Sequence, residues 1–177
     1  VLGWNYFSNL ETSIVENPLK FSETIPRIAT AFKIMAIYIQ KTLWPLNLCS
    51  DYSYNQIPVL KNFINIYALI GLLIFISLVI SIFVFWRRAP IISFASSIFI
   101  FSFLIISNIF FTTGTIAGER LMYYLSLGLA IIISYLLVLL INNNKWQKII
   151  VLSLILLLSL FYAWLSHARS LDWLTEK

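Results

Sequence analysis

The chain has 177 residues, of which 60% are hydrophobic and only 11% are charged. Soluble domains carry about 25% charged residues, so this chain has too little charge to cover a water-exposed surface of its size. The composition therefore excludes a soluble enzyme, a nucleic-acid-binding domain and, with Cys49 as the single cysteine, a secreted disulfide scaffold. The apolar residues form long unbroken blocks, which predicts an all-α fold, a polytopic bundle of four to five transmembrane helices.

The first 27 residues are less apolar than the rest and are predicted as a loop or amphipathic segment, with Pro26 in the first turn of the following helix. A spanning helix needs about 20 apolar residues. Within 28–166 the weakest candidate span is 28–46, because Lys33, Gln40 and Lys41 share one side of its helix. Two readings stay open: it spans with that side against protein or headgroups, or it lies in the membrane interface. The four clear candidate spans are about 67–86, 90–111, 121–141 and 149–166.

Charge distribution orients these spans. The connection at Arg87-Arg88 and the connection at 142–148 are short and basic and contain no acid. The positive-inside rule makes that side cytoplasmic, so 47–66, 112–120 and the tail 167–177 face outward. These outward stretches mix acids with bases, and we expect any site to lie there. Small residues recur four apart, for example Ser77 with Ser81, which predicts close helix packing.

The first candidate site residue is Asp51, a carboxylate at the membrane boundary that is followed by tyrosines. It is either a solvated loop residue or cap, or an acid that holds a metal, accepts a proton or binds sugar hydroxyls. The boundary tyrosines beside it, Tyr52 and Tyr54, are predicted as interface anchors.

The second candidate group is Glu119, Arg120 and Tyr123 at the start of a helix. The planar fork of Arg120 suits a phosphate or carboxylate, and helix N-termini favour anions. The alternative is that Arg120 reaches to the headgroups and Glu119 caps the helix. His167, in the tail, has no second His or Cys nearby, so no metal site is predicted there.

A set of short motifs, taken together and in their order along the chain, resembles a known family. It is similar to the C-terminal half of the membrane region of the transmembrane and tetratricopeptide-repeat O-mannosyltransferases, the TMTC family. The matching positions are Asn17-Pro18, Arg27, Thr30-Ala31, Tyr38, 43–46, 48–53, Ile57-Pro58, 107–111, 119–123, Ser126, Gly128, Arg169-Ser170, Asp172-Trp173 and Glu176. Leu125 stands where the family usually has a proline.

The resemblance implies part of a larger GT-C glycosyltransferase in the prokaryotic cytoplasmic membrane or the endoplasmic reticulum membrane. Such an enzyme transfers mannose from a polyprenyl-phosphate carrier to a protein hydroxyl on the luminal or extracytoplasmic side. Its partners would be the bilayer, the lipid-linked sugar and an acceptor protein, with a divalent metal as an open question and no nucleic acid. The family's acidic motif follows its first helix, so the catalytic group is expected upstream of Val1 and the chain is expected to be an internal piece.

Within this resemblance Arg120 is the candidate for holding the phosphate, with Glu119, Tyr123 and Asp51 lining the same cavity. The tail 167–177 would begin a helical, tetratricopeptide-type repeat region. The competing reading is a non-catalytic membrane anchor that displays a repeat domain for protein interaction. A transporter is disfavoured, because no clear span is broken in its middle or carries a central charge.

Overall fold

The chain's regular structure is helical in the computed structural model, which describes residues 17–45, 52, 55–141 and 145–172. The α-helices of this part of the chain are α1 (Thr24–Leu43), α2 (Ile66–Val84), α3 (Pro90–Ile106), α4 (Tyr123–Leu140) and α5 (Lys145–Asp172). Short 3₁₀ turns, Pro18–Phe21 and Glu119–Met122, precede α1 and α4. The predicted all-α membrane fold is confirmed.

Three described stretches are long and apolar enough to cross a membrane: α2, Glu119–Leu140 and Lys145–Ala168. Helix α3 is apolar but shorter, because it ends at Ile106 instead of reaching residue 111. It ends there because Asn108 takes a left-handed conformation, with a φ of 58°, which a helix does not continue. Helix α1, the weakest predicted span, is not among the candidate spans, so whether it spans stays a prediction.

Local sequence signals account for the helix ends. Asn65 caps α2, since its side-chain oxygen accepts hydrogen bonds from the N–H groups of Tyr67 (3.0 Å) and Ala68 (3.4 Å). Pro90 occupies the first turn of α3, where its missing N–H costs nothing. Pro26 lies in the first turn of α1 as predicted, and α1 ends two residues before Pro45.

The core forms where α1, α2 and α3 meet. Phe32 of α1 packs against Phe75 of α2 and Phe103 of α3, with ring centroids 5.4 and 6.3 Å apart. Gly71 lets the backbones of α1 and α2 approach closely, because a Cβ there would lie 1.9 Å from the carbonyl oxygen of Phe32. Gly128 allows a similar approach of α4 to α3, since its Cβ would lie 2.7 Å from the carbonyl oxygen of Ala95.

The connection between α1 and α2 returns along α1. The Thr30 hydroxyl accepts a hydrogen bond from the N–H of Leu60 at 2.9 Å, and the Lys33 ammonium donates to the carbonyl of Pro58 at 3.1 Å. Lys33, which makes α1 look weak as a span, therefore contacts protein. Gln40 on the same side is exposed.

The chain divides into two compact units at Ile132-Ile133. The first unit holds the core and every contact described above. In the second, α5 has 28 residues, a length of about 42 Å at 1.5 Å per residue. No residue of its most apolar stretch is buried, as expected for a helix that contacts lipid or protein outside the described residues. The helix continues into the predicted tail as far as Asp172.

Candidate functional site

The connection from α3 to α4, which leads into Glu119 and Arg120, is organised around two buried asparagines. The Asn108 side-chain oxygen accepts hydrogen bonds from the N–H (2.7 Å) and hydroxyl (3.1 Å) of Thr113. The amide of Asn17 donates to that same oxygen at 2.9 Å and to the carbonyl of Thr113 at 2.7 Å. Both asparagines are almost completely shielded from solvent. Buried amides with several partners favour one loop conformation, because breaking any bond leaves a buried polar group unsatisfied.

Two buried tyrosines hold the backbone immediately before Arg120. The Tyr38 hydroxyl, from α1, accepts a hydrogen bond from the buried N–H of Gly118 at 3.1 Å. Tyr52 donates through its N–H to the carbonyl of Ala117 (3.3 Å) and through its hydroxyl to a carboxylate oxygen of Glu119 (3.1 Å). The start of α4 is thereby tied to α1 and to the connection that follows α1.

The adjacent Glu119 and Arg120 face different surroundings. The half-buried carboxylate of Glu119 receives the Tyr52 hydroxyl, whereas Arg120 is exposed. Arg120 lines a groove of about 330 Å³ with Leu121 and Tyr124. The last turns of α3 supply the opposite wall through Ser102, Ile105 and Ile106. Among the described residues, no hydrogen bond or ion pair occupies the guanidinium of Arg120.

The other two candidate residues, Tyr123 and Asp51, are not among the described residues that line this groove. Tyr123 is 74% exposed, and its ring contacts that of Tyr124 edge to face, with centroids 5.6 Å apart, but it does not line the groove. Asp51 lies outside the described residues, although its neighbour Tyr52 bonds to Glu119. The described residues contain no group of three His, Cys, Asp or Glu side chains arranged for a metal ion.

A guanidinium at the rim of an apolar groove suits a ligand that has both an anionic group and a hydrocarbon portion. The guanidinium offers paired N–H donors to a phosphate, and Ile105, Ile106 and Leu121 offer apolar contact to a hydrocarbon chain of the ligand.

A family model described as protein O-mannosyl-transferase TMTC, DUF1736, matches residues 7–79. Protein O-mannosyl-transferase F38B6.6 of Caenorhabditis elegans is 30% identical over 173 residues, 97% of this chain and 24% of the relative. The family model and these relatives support a TMTC-family protein.

Further TMTC relatives match at similar identity. Protein O-mannosyl-transferase Tmtc3 of Drosophila melanogaster is 28% identical over 168 residues, and TMTC3 of Mus musculus is 28% identical over 174 residues. Each alignment covers 91% of this chain and 18% of the relative. The chain thus spans about a fifth of the length of the curated relatives it matches. No solved structure matches it significantly.

The sequence alone did not identify the residues that position Glu119 and Arg120. Asn17 and Tyr38 appeared only as positions of resemblance, and Tyr52 was interpreted as an interface anchor. The helical spacing of Tyr38 with Ile34 and Met35 marks a buried face of α1, but it does not identify Gly118 as the partner. Asn108 had one available signal: an asparagine directly after a long apolar run is a common helix stop.

Proposed function

We propose that the intact protein is a GT-C-type membrane mannosyltransferase. It would move mannose from a polyprenyl-phosphate carrier to a hydroxyl of an acceptor protein on the luminal side of the endoplasmic reticulum membrane. The relatives are protein O-mannosyl-transferases by name, which supports mannose as the sugar and a protein as the acceptor. The family resemblance suggests the lipid carrier, and the multi-pass apolar helices supply the membrane setting.

The observation that carries this proposal is the position of Arg120. It is a cation with no described partner at the rim of an apolar groove, beside a backbone held by Tyr38 and Tyr52. A polyprenyl phosphate has one anionic end and a long hydrocarbon tail. The groove would accept isoprene units, and the guanidinium would receive the phosphate.

In the proposed reaction the acceptor hydroxyl oxygen attacks the anomeric carbon of mannose as the bond from that carbon to the phosphate oxygen breaks. The leaving polyprenyl phosphate gains negative charge, which a preorganised arginine stabilises more in the transition state than in the ground state. The hydroxyl proton passes to a base that we place outside this chain. Glu119 would orient the site through Tyr52, while Tyr123 and Asp51 would face the sugar or acceptor.

The proposed topology places Arg120 on the luminal side and Arg87-Arg88 on the cytoplasmic side. Helix α5 would then lead outward into a tetratricopeptide-type repeat region. The exposed Ser170 tests this in a Cys49→Ser background. We expect an impermeant thiol reagent to label Ser170→Cys in the intact protein only after the microsomes have been permeabilised. Labelling in sealed microsomes, which expose only their cytoplasmic face, would reverse the proposed topology.

The test of function is transfer of mannose from polyprenyl-phosphate mannose to an acceptor protein by membranes that contain the intact enzyme. Arg120→Gln should lower kcat/KM by about 100-fold or more, the loss typical of removing one donor to a developing anion. Arg120→Lys should restore part of the rate, because an ammonium keeps the charge but not the planar fork.

Lys61→Gln is the matched control, since Lys61 is an exposed cation in the predicted luminal connection after α1. It makes the same change in net charge and should leave kcat/KM unchanged. The expected loss for Arg120→Gln is about 100-fold. If this variant folds and transfers mannose within about threefold of the wild-type rate, the proposed phosphate role of Arg120 is wrong.

A further inference from the structure

The turn between α2 and α3 carries a second basic site, distant from Arg120. A cavity of about 570 Å³ lies at this turn, in the range typical of ligand sites. The last turn of α2 and the turn itself line it, through Ile82, Phe83, Val84, Trp86, Arg87 and Arg88. Trp86 also borders a smaller cavity of about 280 Å³ along the first turns of α3, with Pro90 and Phe94 among its walls. The two cavities form an apolar surface that starts at a pair of arginines.

The charge at this turn is isolated. From Asn62 to Gly118 the only charged residues are Arg87 and Arg88. Neither has a hydrogen-bond or ion-pair partner within the described part of the chain, and both are exposed. Two adjacent guanidinium groups without a carboxylate nearby attract a counter-ion, and their planar forks match the oxygens of a phosphate.

The apolar walls of the two cavities indicate which kind of phosphate-containing molecule could bind there. Phe83 is 76% exposed, and Trp86 and Phe94 are also exposed. Helix α2 is a candidate membrane span that ends at Val84, so the turn lies where a membrane helix leaves the hydrocarbon. A molecule that places phosphate and hydrocarbon together at that depth is a phospholipid. A soluble phosphate or an acidic peptide would not use the aromatic surface.

We infer that Arg87, Arg88 and Trp86 form a binding site for an anionic phospholipid, whose phosphate contacts the arginines and whose acyl chain lies along Phe83 and Phe94. The site is separate from the groove at Arg120, because the two lie at opposite ends of α3. It binds a membrane lipid and takes no part in mannose transfer.

The experiment places the intact protein in nanodiscs of equal parts phosphatidylglycerol and phosphatidylcholine and identifies the lipids it retains by native mass spectrometry. Wild-type protein should retain phosphatidylglycerol in preference to phosphatidylcholine. Arg87→Gln/Arg88→Gln should lower that preference by about 10-fold or more, since each basic residue near anionic lipid contributes to binding. Millimolar inorganic phosphate should not displace the retained lipid.

Lys145→Gln/Lys148→Gln is the matched control, because these exposed lysines stand at the other basic connection, at the start of α5. It removes the same charge and should leave the preference within about twofold, well below the effect expected at Arg87 and Arg88. Equal losses in both double variants would show general surface attraction and overturn the site. Wild-type protein without preference, or displacement by inorganic phosphate, would overturn it without any variant.

Discussion

Arg120 and the pair Arg87-Arg88 lie near opposite ends of α3, and they differ in what surrounds them. At the Arg120 end, a long connection is held by buried polar side chains, and Glu119 receives a tyrosine hydroxyl. At the other end, a short turn closes through backbone bonds, such as the N–H of Ala89 to the carbonyl of Phe85 at 3.0 Å. No acidic side chain lines the cavity there.

The difference shows two ways of using a cation at a membrane boundary. Tyr38 and Asn108 hold the backbone around Arg120, which suits a group that must meet a reacting phosphate in one orientation. Arg87 and Arg88 are displayed on a turn without such support, which suits a mobile lipid headgroup. The following variants of the intact protein test whether the two ends are independent.

The largest effect is expected at Gly71, in the packing that both ends share. A Cβ there would lie 1.9 Å from the carbonyl oxygen of Phe32, a backbone atom that cannot move alone. Gly71→Ala should lower the free energy of unfolding by about 3 kcal/mol or more, measured by denaturant titration in detergent. Gly114→Ala, where a Cβ meets nothing within 4 Å, should change it by less than about 0.5 kcal/mol. Equal losses would contradict the close approach of α1 and α2.

Asn108→Ala should act on the Arg120 end alone. It removes the acceptor of one of the two hydrogen bonds that the Asn17 amide donates and the acceptor of the Thr113 N–H. It also places alanine at a positive φ, which asparagine tolerates better. We expect a loss of about 2–3 kcal/mol in unfolding free energy and impaired mannose transfer. Retention of phosphatidylglycerol should be unchanged.

The control for Asn108 is Asn62→Ala, since exposed Asn62 only receives the N–H of Ile64 at 3.1 Å. It should cost at most about 1 kcal/mol. A parallel loss of phosphatidylglycerol retention in Asn108→Ala would show that the two ends are coupled.

Tyr38→Phe should have a smaller effect at the same end. It removes the acceptor for the buried N–H of Gly118 and should cost about 1–2 kcal/mol in unfolding free energy. Tyr67→Phe removes a hydroxyl from a ring that is 43% exposed and has no described hydrogen bond, so it should be nearly neutral. If both variants melt alike, the Tyr38 hydroxyl does not hold the start of α4.

The smallest effect is expected near the Arg87-Arg88 end. The hydroxyls of Ser81 and Ser96 join α2 to α3 at 2.7 Å. Ser81→Ala should cost about 0.6 kcal/mol, the average for side-chain hydrogen bonds between membrane helices. The Ser77 hydroxyl bonds only to its own helix, at the carbonyl of Ile74, so Ser77→Ala is the control. A loss as large as that for Tyr38→Phe would show that side-chain bonds hold both ends equally.

Much of the helical framework could be read from hydropathy, because apolar blocks in a membrane have few alternatives to helix. The pairing of Ser77 with Ser81 predicted close packing, yet it is Ser81 that meets Ser96. Helix α3 ends before its predicted limit at residue 111, because Asn108 has a left-handed backbone conformation. In that conformation its side chain forms buried hydrogen bonds with Asn17 and Thr113. Local hydropathy does not register such a turn.

The candidate site was only half visible in the sequence. Arg120 and Glu119 could be identified as candidates from the sequence, because only 11% of the residues are charged. The roles of Tyr38, Tyr52 and Asn17 depend on partners far away in the chain, such as Asn17 with Asn108. No local periodicity reports those distances.

By itself, then, the sequence determined the membrane character, the helices and the few charged positions where chemistry can occur, because burial in lipid constrains composition and element type. The tertiary structure alone decided that Glu119 turns to Tyr52 while Arg120 lines a groove against α3. It also decided that Arg87 and Arg88 border an apolar cavity of their own. Adjacent residues acquire different surroundings only when distant segments pack around them.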